Sequence, residues 1–573
     1  MQRNWIIKKI CKHDTVPSWG AAFHPILLKV LLRRSISSYE DALKYLSPGL
    51  RDMLDPLLLK GIEPAVRRLL SARQAGETVC IYGDYDVDGI TGTALLVSFL
   101  REVGFCCHYF IPNRFDDGYG LNRDALGHII EKYSATLIIS VDCGITSIDE
   151  ALFCRQKGVD LIITDHHTPR EAIPDAVAVI NPLQPGCTYP FKSLAGVGVA
   201  FNLLIALRAI LREEGFFGAA NGPDLRQWLD LVALGTIADV VPLIGQNRIY
   251  AFHGLRHLSS SAKVGIQSLK RVAGIGGIVS CGQVGFLLAP RLNAAGRMES
   301  AVPGVELLLG AGEKETFEIA TDLDAANSER QAVERRIFEE AVEMVEASRC
   351  YPACRSIVLA SDSWHQGVVG IVASRLVERY HRPTILIALT GDGIAKGSGR
   401  SIPGFHLLNA LTSCSDHLAR FGGHSYAAGI GLKEELVDTF AAAFEAESSR
   451  LLNPEDLIPT LIIDAEAHPE NVTIELAREL KRLEPFGAGN PEPVLMMRGL
   501  TIIERRVVGE NHLRLRLSRD GYIFYAIAFR MAERETAGMM DIAFYPEINE
   551  WNGSSSLQLR IKDLRPSEHQ HAA

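Results

Sequence analysis

The chain has 573 residues, too many for one ordinary core, and about three or four domains are expected at roughly 100–200 residues each. A hydrophobic fraction of 47% with 22% charged residues is that of a globular protein, and the lack of any apolar run of membrane-crossing length excludes a spanning helix. The formal net charge of −9 excludes a uniformly basic surface, so any contact with a polyanion must come from local clusters. The eleven cysteines are scattered without a CxxC pair, and the N-terminus has no apolar stretch long enough for a secretory signal. A reduced, cytoplasmic protein is the expectation.

Residues 1–60 are expected to form an N-terminal helical segment. From about residue 77 the pattern alternates strand and helix. Val79–Tyr82, Phe105–Ile111, Thr136–Val141, Asp160–Thr164 and Ala176–Ile180 are β-rich runs, and Thr91–Leu100 reads as a helix. Their apolar character is continuous rather than alternating, which predicts strands buried on both faces, hence a mostly parallel sheet over a first domain at 61–312. Ligands of such sheets bind beyond the carboxyl ends of the strands. Over 313–349 the residues Phe317, Ala320, Leu323, Ile337, Ala341 and Val345 recur at helical spacing in a charged background. They predict one long amphipathic helix, packed on the first domain or bridging two. Ser356–Ala360 and Thr384–Ala388 predict strands of a second α/β domain over 350–455. From 456 to 573 strands dominate, with turn signals at Gly509-Glu510-Asn511 and Asp520-Gly521, which predicts a small OB-like β-barrel.

Four segments carry chemistry. In Gly83-Asp84-Tyr85-Asp86-Val87-Asp88-Gly89, three aspartates on alternate residues follow a buried strand. Like charges this close raise one another's pKa unless hard divalent ions with oxygen ligands neutralise them. A solvated turn is the plain alternative, and an EF-hand is disfavoured because its twelfth-position Glu is missing. Val141-Asp142-Cys143-Gly144 and Thr164-Asp165-His166-His167 each end a further strand in ligand-type residues, and Gly235-Thr236-Ile237-Ala238-Asp239 ends an apolar helix in one acid. Singly, Asp142 could be a helix cap, a histidine structural, and Asp239 a core-edge acid. Together they place at least five carboxylates and two imidazoles at one sheet edge. That set suits two Mn²⁺ or Mg²⁺ ions sharing a carboxylate and activating a water, and so phosphoester hydrolysis.

These four segments, in this order and spacing, resemble the signature motifs of the DHH phosphoesterase superfamily. The resemblance implies a DHH domain followed by a DHH-associated second domain. It also implies Asp84 and Asp86 on one ion, Asp88, His166 and Asp239 on the other, and Asp142 bridging. His167 would stand near the scissile phosphate as a proton donor, and Asp165 would orient a histidine. Asp86, Asp88, Asp142, His166 and His167 are then the catalytic group.

The substrate needs separate evidence. Ala289-Pro290-Arg291-Leu292-Asn293-Ala294-Ala295-Gly296-Arg297 and Trp364–Arg375 resemble segments of the RecJ-type exonucleases within that superfamily. Arg291, Asn293 and Arg297 offer donors beside small residues, suited to phosphate, although an ion pair would equally explain each arginine. Arg400 and Ser401 in Gly397-Ser398-Gly399-Arg400-Ser401, and Gly423 and His424 in Phe421-Gly422-Gly423-His424, resemble the second domain's substrate-facing motifs, with glycines permitting close backbone approach. Arg114, in a polar loop at a strand end, is a candidate for a terminal phosphate. In the barrel, His512, Arg514 and Arg516 alternate with Leu513, Leu515 and Leu517, predicting one apolar and one basic face. With Arg505, Arg506 and Tyr522 they form a candidate surface for tracking a backbone and stacking bases. Leu483–Pro493 resembles the entry into that barrel. What the family implies is 5′-to-3′ exonuclease action on single-stranded DNA in recombination and repair, with a helicase and a single-strand-binding protein as candidate partners and no membrane. Two rivals are a phosphodiesterase for short oligonucleotides or cyclic dinucleotides, which needs no barrel, and a non-catalytic replication scaffold, which would have lost metal ligands.

Overall fold

A computed structural model describes residues 3–7, 18–113, 120–218, 220–298, 300–348, 351–391, 393–536, 538–551 and 553–567. The chain divides into two compact units, one of Ser47–Glu329 with Glu484–Pro491, the other of Met1–Leu46, Arg330–Leu483 and Glu492–Ala573. No helix among the described residues is long and apolar enough to cross a membrane.

The first unit is built on a five-stranded, all-parallel sheet in the order Cys106–Phe110, Thr78–Gly83, Leu137–Val141, Asp160–Thr164, Ala178–Ile180. Its central strands are buried residue after residue, the condition that erased alternation from the sequence. One core, with Ile81, Ile139 and Ile162, packs against the helices Val87–Glu102, Gly196–Glu213 and Leu229–Ala238. The other, with Cys80, Ile138 and Ile163, packs on the opposite face. The sheet's first strand in sequence, Thr78–Gly83, lies between its second and third, so the strand order reverses beside it, and the crevice at such a switch point is where α/β sheets bind ligands.

The long helix runs unbroken over Glu313–Ala347. Its two halves belong to different cores: Ala320 and Leu323 join that of the parallel sheet, while Ile337, Ala341 and Val345 join that of the second domain. Of the two readings left open for it, this is the second.

The second unit contains a mixed five-stranded sheet in the order Arg420–Gly423, Ala427–Lys433, Ile394–Arg400, Thr384–Ala388, Ile357–Ser361. Two of its strands are rich in glycine and escape a reading based on apolar runs. Their glycines pack: a Cβ on Gly397 would lie 2.8 Å from Ile430 Cγ1, and one on Gly399 3.0 Å from Leu407 Cδ2. Five strands, Leu495–Val508, His512–Arg519, Tyr522–Ala528, Ser554–Pro566 and Met539–Trp551, then close into a barrel, because the first pairs with both the second and the last. The N-terminal stretch, expected to be helical, also contributes a strand. Asn4–Ile7 is a strand paired in parallel with Thr460–Ile463, a partner too distant in sequence to be anticipated, and Trp5 Nε1 donates to Asp563 at 2.9 Å. Only then follow the helices Pro25–Arg33 and Tyr39–Leu46.

Candidate metal centre

Each ligand-type side chain is delivered by the end of a regular element. Asp84 follows the strand Thr78–Gly83, and Asp86 is the N-cap of the helix Val87–Glu102, where its Oδ1 accepts from the Asp88 and Gly89 amides at 2.9 and 3.2 Å. That cap satisfies helix-end donors and leaves Oδ2 for another partner. Gly89 is required here, since a Cβ would lie 2.4 Å from the Asp84 carbonyl oxygen. Asp142 ends the strand Leu137–Val141 with φ at +63°, a left-handed conformation that Asp and Asn tolerate better than other side chains. It is not the cap of the following helix, which begins only at Ile148. Asp239 caps the C-terminus of Leu229–Ala238.

These ends converge. Asp84, Asp86 and Asp142 each offer a ligand atom within 4.8 Å of the others; so do Asp88, His166 and Asp239, and so do Asp142, His166 and His167. His166 Nε2 stands 3.1 Å from Asp142 Oδ1, 3.6 Å from Asp239 Oδ2 and 3.9 Å from Asp88 Oδ2. The buried atoms Asp142 Oδ1, His166 Nε2 and Asp239 Oδ2 have no hydrogen-bond partner among the described residues, which is costly unless a cation satisfies them. The electrostatics agree. Burial, then the neighbouring Asp86, pushes Asp88 up to about 7, although Asp88 accepts from the Gly196 and Val197 amides at 2.6 and 2.8 Å. Burial and the charges of Asp88, Asp86 and Asp84 push Asp239 up to about 9, and Asp142 is raised for the same reasons. His166 is lowered to about 4 by burial and by His167, which leaves it the neutral imidazole that coordinates metals. The donor set, oxygen-rich with one or two imidazoles, fits Mn²⁺ or Mg²⁺.

Asp165 does not face the ligand atoms. Its Oδ1 accepts from the His166 and His167 amides and from His167 Nδ1 at 2.8 Å, while its Oδ2 accepts from the Ile145 amide. Burial alone would lower His167, but this hydrogen bond and the charges of Asp165, Asp84 and Asp86 outweigh it, so its pKa is raised. The histidine that Asp165 orients is therefore His167. Sequence reasoning missed the helix N-terminus at Gly196-Val197, which supplies both amides to Asp88. A Cβ on Gly196 would lie 2.7 Å from that of Asp142. A glycine at the start of a long apolar helix was the available signal.

The residues expected to hold substrate are more dispersed. Arg114 lies outside the described residues. Arg291 is taken up by Asp324 at 2.8 Å and by the Leu287 carbonyl at 2.7 Å, the ion pair that was its alternative. Asn293 accepts from the Val87 amide at 3.1 Å and so supports the helix that carries Asp86 and Asp88. Gly296 lets that segment approach: a Cβ there would lie 2.9 Å from the Tyr85 carbonyl oxygen. Arg297 sits half-buried on the same helix, Ala289–Met298. In the second unit, Ser401 is buried and spends its hydroxyl on the Phe405 carbonyl at 2.7 Å, so it is not a free donor. Arg400 is half-buried and donates to Ser398 and to the Gly399 carbonyl. Gly423, at φ +146°, and His424 are exposed at a hairpin edge.

On the barrel, register sorts the expected residues by face. Arg514 lies opposite Arg506 and Ile527, and Arg516 opposite Glu504 and Tyr525, so these share the outer face. Leu513, Leu515 and Leu517 are buried on the other. Arg505 lies opposite Leu515 and donates to the Ala532 carbonyl, and Tyr522 lies opposite Arg519 on the side of the buried Phe524. Register thus gives Arg505 and Tyr522 the opposite parity to Arg514 and Arg516, although Arg505 is exposed and Tyr522 is 46% exposed; the aromatic in register with Arg516 is Tyr525, 50% exposed.

Models of known families match three stretches: the DHH family N-terminal domain over residues 78–236, the DHHA1 domain over 353–449, and the RecJ OB domain over 463–563. The single-stranded-DNA-specific exonuclease RecJ of Bacillus subtilis is 39% identical over 568 residues, covering 97% of this chain and 70% of that protein. Its counterpart in Haemophilus influenzae is 39% identical over 578 residues, covering 98% of this chain and 100% of that protein. The crystal structure of RecJ from Thermus thermophilus with Mn²⁺ superposes with a TM-score of 0.84 at 32% identity, over 99% of this chain and 80% of that one. The Mg²⁺ complex gives 0.79 at 30% identity, over 99% and 79%. Likeness of this degree over nearly the whole of this chain makes it a member of the RecJ family.

Proposed function

We propose that this chain is a metal-dependent exonuclease that releases nucleotides from the 5′ end of single-stranded DNA, in recombination and repair. The observation that carries the reading is the convergence of two ligand groups, Asp84, Asp86 and Asp142 and then Asp88, His166 and Asp239, at one rim of the parallel sheet. Asp84 and Asp86 would hold one ion and Asp88, His166 and Asp239 the second, with Asp142 between them. A pair of Mn²⁺ or Mg²⁺ ions, when bound, supplies Lewis acidity that lowers the pKa of a water and neutralises phosphoryl charge.

The protein's own groups do the rest. The amides of Gly196 and Val197 fix Asp88, the helix cap at Asp86 fixes its carboxylate, and neutral His166 presents Nε2. His167 is held by Asp165 with its pKa raised, which supports a role in protonating the leaving oxygen from its other ring nitrogen. Arg114, Arg297, Arg400 and the exposed Gly423-His424 edge are assigned to the phosphates of the strand, while Arg291, Asn293 and Ser401 hold the fold. The outer barrel face of Arg506, Arg514, Arg516 and Tyr525 is assigned to the single strand, by phosphate contact and base stacking. A helicase and a single-strand-binding protein are proposed partners.

The test is hydrolysis of 5′- and 3′-labelled single strands, a duplex and a dinucleotide, with Mn²⁺, Mg²⁺ or chelator. Immediate release of the 5′ label as mononucleotide, lost with chelator and absent on the duplex, is expected. Duplex cut as fast as single strand, or turnover in chelator, contradicts the reading; a dinucleotide preferred over a long strand favours a short-substrate phosphodiesterase.

A further inference from the structure

Residues Glu484–Pro491 pack with the catalytic unit although the chain on both sides of them belongs to the other. Several of their contacts fall on the loop that follows Asp239 and on the helix Gly245–Ser259 after it. The Ala488 carbonyl accepts from the Leu243 amide at 2.7 Å. Arg248, only 2% exposed, donates Nη2 to the Glu484 carbonyl at 2.8 Å. Two glycines allow the approach: a Cβ on Gly487 would lie 2.7 Å from Leu243 Cδ1, and one on Gly489 2.8 Å from Pro242 Cβ. Fully buried Asn490 closes the turn from within, donating Nδ2 to the Pro485 carbonyl at 2.7 Å.

The loop beneath is strained. Val240, the residue after Asp239, has φ at +60° and is 69% exposed. A left-handed conformation is unfavourable for a β-branched residue and persists only where the surroundings impose it. An exposed valine side chain cannot impose it, so the flanks must. On one side the Asp239 amide donates to the Gly235 carbonyl; on the other, Leu243 is pinned by Ala488 and Gly487.

We propose that Glu484–Pro491 is a positioning element for Asp239: by holding the Val240–Ile244 loop in its strained turn, it fixes a carboxylate required by the ion that Asp88 and His166 share. The inference rests on the two-ion reading above. No residue of the segment is itself a ligand, so the effect is on ion affinity rather than on chemistry.

The experiment is calorimetric titration of the full chain with Mn²⁺, with nuclease activity followed against Mn²⁺ concentration. Gly487→Ala should weaken one binding step by about tenfold or more, as loss of support behind a ligand does, and leave the other step unchanged. Activity at saturating Mn²⁺ should be recovered. Leu243→Ala added to Gly487→Ala makes room for the new methyl group and should restore most of the affinity. Arg248→Lys, which loses the guanidinium fork but keeps the charge, carries the same test should Gly487→Ala fail to fold. Folded clamp variants with both steps unchanged overturn the proposal. Asp239→Ala separates the two failures. If it binds both ions like the parent, the reading of Asp239 as a ligand is wrong; if it loses one ion while the clamp variants lose none, only the positioning role is wrong.

Discussion

The metal centre and the outer face of the barrel both gather charge, but by opposite physical means. At the centre, acids are buried together on rigid ends of strands and helices, at a cost that raises Asp88, Asp142 and Asp239 well above the usual carboxylate range. On the barrel, Arg506 and Arg514 are exposed and paired only by strand register. Removing one charge from the first region should abolish function, whereas removing one from the second should only weaken it. Buried like charges demand ions and fix geometry; exposed ones act additively through the field they create.

The largest expected effect is at Asp142. Asp142→Asn keeps the side-chain shape and tolerates the left-handed backbone, which alanine would not, and so isolates the charge. Hydrolysis should fall by at least about a thousandfold, while barrel binding of single-stranded DNA stays within about twofold of the parent. In chelator the variant should melt higher than the parent, because one buried like charge is gone. Retained Mn²⁺-dependent turnover would break the contrast between the regions.

A smaller effect sharpens the barrel side. Tyr525→Ala should cost about 1–3 kcal/mol of single-strand binding, the range for one stacked base. Arg514→Ala should lower the salt slope of binding by about one unit. Arg505→Ala and Tyr522→Phe, on the other face, should leave both quantities near the parent's. Equal losses at Arg505 and Arg514, in a filter-binding or anisotropy titration across salt concentrations, would contradict the face assignment.

The smallest effect is a pH dependence. Asp88 at about 7 and Asp239 at about 9 hold protons in the folded, metal-free protein that they release when unfolded. Their raised values therefore contribute stability that is lost as pH rises from their unfolded values through about 9. His166, lowered to about 4, acts the other way, but only below its ordinary value of about 6.5. Between about pH 7 and 9 the raised acids act, and His167, whose pKa is also raised, works in the same direction, so in chelator the melting temperature should fall by a few degrees, and saturating Mn²⁺ should abolish the decline. A flat profile in chelator over that window would contradict the crowding of carboxylates.

What the sequence disclosed follows the same division. The candidate ligands stood out because each lies where a buried strand ends or an apolar helix begins or ends, where a carboxylate is expensive enough to be conspicuous. The long helix was legible from Ala320, Leu323, Ile337, Ala341 and Val345, though only the structure divides them between two cores. Arg291, Asn293 and Ser401 have partners within the protein, Asp324, the Val87 amide and the Phe405 carbonyl, that sequence spacing could not reveal. Tyr522 and Tyr525 could not be told apart without the register that places the latter opposite Arg516. The strands Ile394–Arg400 and Ala427–Lys433 were hidden by their glycines, of which Gly397 and Gly399 leave no room for a side chain.

The central claim is that acids and imidazoles from four separate stretches bind a pair of ions at one sheet edge. Anomalous scattering from crystals grown with Mn²⁺ tests it most directly. Two peaks should appear a few ångströms apart, one contacting Asp84 and Asp86, the other Asp88, His166 and Asp239, with Asp142 touching both. A single peak, or peaks away from these side chains, would contradict the account.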